Sequence, residues 1–128
     1  MQEVDLKEKV VGEIVLPTID IEKYIGQEAK IELVRELKGE YGYFIRLETG
    51  VIDTLEIKDA DGKPVELVAS RLFGLQTDAE GQIGWGESTK LDLYLKKRGV
   101  KHYRELIGIT VKLQAQTSKE GKDYLSFN

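Results

Sequence analysis

The chain of 128 residues contains no cysteine, which excludes disulfides and thiolate metal sites. It has a single histidine, His102, so any metal site would rest on carboxylates, and no HExxH or paired-histidine spacing exists. His102 lies beside Lys101, Tyr103 and Arg104, the setting of an ordinary surface histidine. No serine stands in a Gly-x-Ser-x-Gly elbow, so a nucleophilic hydrolase has no anchor residue. No run of about 18 apolar residues occurs, and no helical membrane span is expected. Met1 to Lys9 is polar and mostly charged, unlike a secretory leader. The expectation is a non-enzymatic protein without metal or cofactor, at a cytoplasmic address. Asparagine occurs once, at Asn128, while Glu and Lys are abundant, a profile that leans towards a thermophilic source.

What is present describes one folded domain spanning 1–128, with residues 1–9 as a tail. Hydrophobic residues make up 41% and charged residues 33%, a globular rather than a disordered balance. The net charge of −4 conceals an asymmetry. Residues 1–87 hold 10 Lys and Arg against 19 Asp and Glu, whereas 88–128 hold 9 against 4. Two readings stand: a basic surface suited to a polyanion, or two halves that neutralise each other on folding.

Segment patterns along the chain are mostly of the strand type. Val10 to Leu16 is apolar and stopped by Pro17, as an extra edge strand would be. Asp20 to Ile25 reads as one helical turn, capped by Asp20 and ended by Gly26. Glu28 to Lys38 alternates, then shifts phase at Val34 and Leu37, which predicts a bend or bulge. Tyr43 to Thr49 alternates again, with Gly50 as a corner. Val51 to Lys58 and Val65 to Phe73 flank a turn at 59–64, and Gln76 to Glu87 reads as a glycine-bearing loop. Ser88 to Arg98 is a capped helix with three cations in its last turn and Gly99 as its stop. A further helical turn, His102 to Ile107, precedes the strands Gly108 to Gln116 and Asp123 to Phe127.

Two short motifs fail on spacing. Asp59-Ala60-Asp61-Gly62 opens like a calcium loop, but its glycine falls at position four and Ser70 stands at twelve, so it reads as a hairpin turn. The glycines at 81, 84 and 86 lack the spacing of a phosphate loop and no βαβ unit surrounds them.

Aromatic side chains near cations carry the remaining signal. Single-strand nucleic-acid binders combine a cationic groove with rings on which bases stack. Tyr41, Phe44 and Arg46 fall at the first hairpin, Arg71 and Phe73 on a middle strand, and Lys119, Lys122 and Tyr124 at the last hairpin. Core packing competes for each ring, notably Phe73, Phe127 and one of Tyr43 or Phe44. Trp85, flanked by glycines in a polar loop, is expected to be the ring most available for contact. The basic stretch Lys90, Lys96, Lys97, Arg98, Lys101 and Arg104 reads first as a solvated helix end, and second as a contact for a backbone or partner.

Strands, then a helix, then a closing hairpin fit an all-β class with one short helix, specifically a small Greek-key barrel with the helix between strands three and four. The stretch LDLYLKKRGVKHYRELIGITVKLQAQTSKEGKDYLSFN, from Leu91 onward, resembles the end of oligonucleotide/oligosaccharide-binding (OB-fold) proteins of archaea and phages. These share an L-x-x-x-L-x-x-x-G helix, an Ile-Gly turn and a G-K-x-Y-L-x-F closing strand, and Tyr24-Ile25-Gly26 is similarly placed before the first long strand. The resemblance covers about half of the chain. It implies the barrel fold and single-stranded DNA binding. The alternative is a protein-interaction or assembly module on the same barrel, with no nucleic-acid ligand.

Overall fold

The computed structural model describes residues 20–128, so the tail over 1–9 and the edge strand expected at Val10 to Leu16 lie outside the described residues. Asp20 opens a 3-10 turn, Ile21–Tyr24, its Oδ1 accepting the Glu22 N–H at 3.2 Å. β1 (Glu28–Gly39) follows and pairs antiparallel with β2 (Gly42–Thr49) over most of its length. The expected bulge is present and sits at Glu32, where the register slips between Ile31 and Leu33. It brings the Glu32 carboxylate over Gly50, where a Cβ would meet Oε2 at 2.2 Å, so a side chain there would displace the exposed Glu32 carboxylate.

β3 (Asp53–Lys58) and β4 (Pro64–Leu67) form a separate two-stranded ribbon. The hairpin turn expected between them is present and is closed as an Asx turn: Asp59 Oδ1 accepts from Asp61 N and Lys63 N at 2.9 and 3.0 Å. Val65 to Phe73 is not one strand. The chain leaves β4 at Leu67, and β5 (Ser70–Gly74) joins β2 in another sheet. Buried Thr49 fixes this switch, its Oγ1 accepting the Ala69 N–H at 3.0 Å. The expected loop at Gln76 to Glu87 also contains structure, a short hairpin of β6 (Gln76–Thr77) and β7 (Ile83–Gly84), closed by Asp78 Oδ1 on Glu80 N and Gln82 N.

Helix α1 (Lys90–Arg98) is capped by Thr89, whose Oγ1 accepts from Asp92 N. Ser88 is left-handed (φ 65°), which directs its N–H onto Asp92 Oδ2 at 2.9 Å. Gly99 ends the helix at φ 73°, as expected. Leu91, Tyr94 and Leu95 form its buried stripe. A 3-10 turn, Tyr103–Leu106, carries a reciprocal capping box of His102 and Glu105, and the hairpin of β8 (Thr110–Thr117) and β9 (Asp123–Phe127) completes the chain.

The result is mostly β with one short helix. The main sheet runs β5-β2-β1-β8-β9, and α1 falls between its third and fourth strands in chain order. No closed barrel forms among the described residues, because β5 and β9 do not pair as a ladder. A side chain takes the place of main-chain bonds there: Arg71 Nη1 donates to the Phe127 carbonyl at 2.8 Å. The core joins Ile31, Ile45, Leu47, Leu106, Val111, Leu113 and Phe127 to the buried rings of Tyr24, Phe73, Tyr94 and Tyr103. Those tyrosines keep their hydroxyls satisfied at the core's margin; Tyr24 donates to Asp53 Oδ2 and Tyr94 to the Asn128 main-chain oxygen.

Candidate functional site

Two surfaces meet along β5. Its register with β2 places Leu72 opposite Arg46 and Gly74 opposite Phe44, all on the outer face of the sheet. β1 extends that face, since Arg35 stands opposite Arg46 and Leu37 opposite Phe44. Phe44 is half-buried with its ring edge against Gly39, where a Cβ would lie 3.1 Å from Cε1. Leu72 is 55% exposed, and above Gly74 there is open space. The two arginines share one carboxylate: Glu48 Oε2 lies 2.9 Å from Arg46 Nε and 3.6 Å from Arg35 Nε. The face therefore carries one cation in excess.

Leu72 and Gly74 also form the near wall of a groove of about 480 Å3. Lys90, at the start of α1, lines a second side, and Gln116 with Tyr124 line the third. Gln116 and Tyr124 are directly cross-strand on β8 and β9, so amide and ring project together. No carboxylate lines this groove, although the chain is acidic overall. Lys90 makes no ion pair among the described residues. Face and groove thus form one continuous track, from Phe44 and Arg46 across Leu72 and Gly74 to Lys90 and Tyr124.

The expected contact residues divide unevenly over this track. Phe44, Arg46 and Tyr124 lie on it. Tyr41 projects from the turn after β1, 96% exposed, and Lys119 and Lys122 are exposed in the β8–β9 turn. Arg71 and Phe73 alternate with Leu72 and Gly74 on β5 and border the same groove from the inner side of the strand. Phe73 is 5% exposed and belongs to the core; the Arg71 guanidinium lies 5.1 Å over its ring and 4.9 Å over Tyr94. Trp85 is not a free ring either. It packs edge-on against His102 and Tyr103 at 5.3 and 5.5 Å and borders a different, shallower hollow with the β6–β7 hairpin. Leu72, Gly74 and Gln116 were absent from the sequence expectation. The sequence signal for Leu72 and Gly74 is alternation with Arg71 and Phe73, and for Gln116 alternation with Ala115 on β8; for β5 it does not say which set faces out.

Part of the basic stretch is already engaged. Lys96 pairs with Asp92 at 2.9 Å, Arg98 binds Asn128, and Arg104 pairs with Glu36. Glu36 also accepts the Tyr103 hydroxyl, and that bond, with Arg104 beside it, holds the carboxyl below its ordinary range. Burial first, and the Glu36 bond second, push the Tyr103 phenol up to about 12. The fold binds the neutral phenol, so this contribution is complete below pH ~10, the ordinary phenol value, and is lost as pH rises through about 12. Thermal unfolding between pH 8 and 12 is expected to show a steeper alkaline loss in the wild type than in Tyr103→Phe. Equal slopes would dismiss the linkage.

Among the described residues, no group of three or more His, Asp or Glu could hold a metal ion, and no helix is long and apolar enough to cross a membrane. No protein-family model matches the chain, and neither a curated protein nor a solved structure shows significant similarity to it.

Proposed function

We propose that the protein binds single-stranded nucleic acid, most simply single-stranded DNA, on an OB-like framework. Several observations support the framework. The sheet order β5-β2-β1-β8-β9 is that of a five-stranded Greek-key barrel opened at one seam. Successive antiparallel pairings make β5 and β9 parallel to each other, and Arg71 bridges them. β1 is long, bulged and shared between β2 and β8, as a strand that turns a barrel corner must be.

The observation that carries the binding reading is the continuous track that runs from Arg35 on β1 through Phe44 and Arg46 on β2 to Lys90 and Tyr124 at the groove. A strand laid across it would stack bases on the two rings and place phosphates at the cations, with little sequence preference on the sheet face. With roughly two or three phosphates neutralised, log K should fall by about 2 per tenfold rise in salt, at about 0.7 per phosphate on a single strand. Fluorescence anisotropy of a fluorescein-labelled dT12 oligonucleotide at 50 and 500 mM salt measures this. Absence of binding at the lower salt would end the proposal.

One observation favours a second reading, a protein-interaction module. Leu33 and Leu72 are 39% and 55% exposed on the same face as Phe44. Sedimentation showing self-association that Leu72→Lys abolishes, together with no oligonucleotide binding, would select it.

A further inference from the structure

We infer that Arg35 and Arg46 together clamp one backbone phosphodiester of the bound strand, with Glu48 as the carboxylate that sets the charge of the clamp. This rests on the nucleic-acid reading above and gives it a fixed phosphate position. The chain has five arginines, and the fold uses them in two ways. Arg71 donates from Nη1 to the Phe127 carbonyl, Arg98 from Nη2 to Asn128, and Arg104 from Nη2 to Glu36. Arg35 and Arg46 instead approach Glu48 Oε2 through Nε, and neither donates a hydrogen bond from Nη to any of the described residues. Two guanidinium forks are therefore left for an anion, and such forks match the oxygens of a phosphate.

Register brings the two forks together. Arg35 and Arg46 are directly cross-strand, with Cβ atoms of such a pair about 5 Å apart. Their side chains are 55% and 42% exposed, whereas that of Glu48, flanked in register by Leu33 and Ser70, is 15% exposed. The Arg46 Nε contact at 2.9 Å lies off the hydrogen-bond direction, since that buried N–H has no aligned acceptor. Charge, not a fixed bond, holds the pair. Two cations less one anion leave a single positive charge, which balances one phosphodiester. Phe44 is next to Arg46 on the same face of β2, so a base stacked there brings its phosphate beside the clamp.

The test uses the full chain and fluorescein-labelled dT12, with anisotropy followed from 50 to 500 mM salt. With either arginine gone, Glu48 neutralises the other, so one phosphate is lost in each single variant and none further in the double. Arg35→Gln, Arg46→Gln and the double variant should each bind about 10-fold more weakly at 50 mM, with the salt slope reduced by about 0.7. Losses that multiply in the double variant, with a slope reduced by about 1.4, overturn the shared clamp. Glu48→Gln leaves two uncompensated cations and should tighten dT12 about 5- to 10-fold at 50 mM. Glu66→Gln, the same change on the exposed side of β4 and off the track, should not. No gain at Glu48, or an equal gain at Glu66, overturns the role given to Glu48. Arg46→Lys keeps the charge beside Glu48 and so the fold, checked by circular dichroism, but loses the fork; wild-type affinity in that variant overturns the clamp. Wild-type binding that neither glutamine variant weakens does the same and leaves the rest of the track standing. If neither the wild type nor Glu48→Gln binds at 50 mM, the parent reading fails and this one with it.

Discussion

Phe44→Ala is expected to weaken dT12 binding about 10- to 100-fold, the loss of one stacked base at roughly 1–3 kcal/mol. The ring is suited to that role by its position and not by its burial. It stands at the centre of the outer face, between Leu37 on β1 and Gly74 on β5, with Arg46 two residues along the same strand. Its edge rests on Gly39, which fixes its orientation before any ligand arrives. Because the ring lies outside the buried cluster, the cost in thermal stability should be small, about 1 kcal/mol. Anisotropy and a thermal melt on the same preparation separate the two effects. Unchanged affinity for dT12 would remove Phe44 from the interface and take the main support of the binding proposal with it.

Arg71→Ala is expected to do the reverse. Arg71 was the cation that the sequence paired with Phe73 as a ligand contact, and the fold uses it to span the seam between the two sheet edges. Its guanidinium donates to the Phe127 carbonyl and lies over the rings of Phe73 and Tyr94. Hydrogen bonds from charged groups contribute about 1.5–3 kcal/mol, and a desolvated cation over a ring adds up to ~2. Removal should therefore cost about 3 kcal/mol and lower the melting temperature by on the order of 10 °C in a chain of this size. Arg71 also borders the groove, so the affinity measured well below that temperature should fall too, but by less than in Phe44→Ala, because the guanidinium is already held by the Phe127 carbonyl. Arg71→Lys rescues poorly on the same grounds, since an ammonium can reach one acceptor but cannot spread a planar cation over two adjoining rings. A variant that melts like the wild type but loses oligonucleotide binding would return Arg71 to the interface.

The two variants together locate the boundary between what holds the fold and what faces a ligand, and that boundary was the least legible feature of the sequence. Along Ser70–Gly74 the apolar residues Leu72 and Phe73 are adjacent, so strand periodicity fits either parity. Only the register with β2, anchored by the Thr49–Ala69 bonds, turns Phe73 inward and Leu72 outward. A one-residue slip would have exchanged the two sets. Trp85 illustrates a related limit. Glycines at 84 and 86 give it freedom locally, but the rings of His102 and Tyr103, distant in sequence, pack edge-on against it and leave it half-buried.

Local chemistry, by contrast, is readable from the chain itself. The Asp20 cap, the Asx turn at Asp59, the stop at Gly99 and the closing hairpin follow from residues within a few positions of one another, so the sequence alone determines them. The mostly β class with one short helix follows from the same local patterns. Tertiary structure decided how β5 and β9 meet, which face of β5 is wet, and that Leu72, Gly74, Lys90, Gln116 and Tyr124 border one groove. Those residues span more than fifty positions, and no short-range propensity relates them. Their meeting is set by strand register and by the side chains that the core accepts.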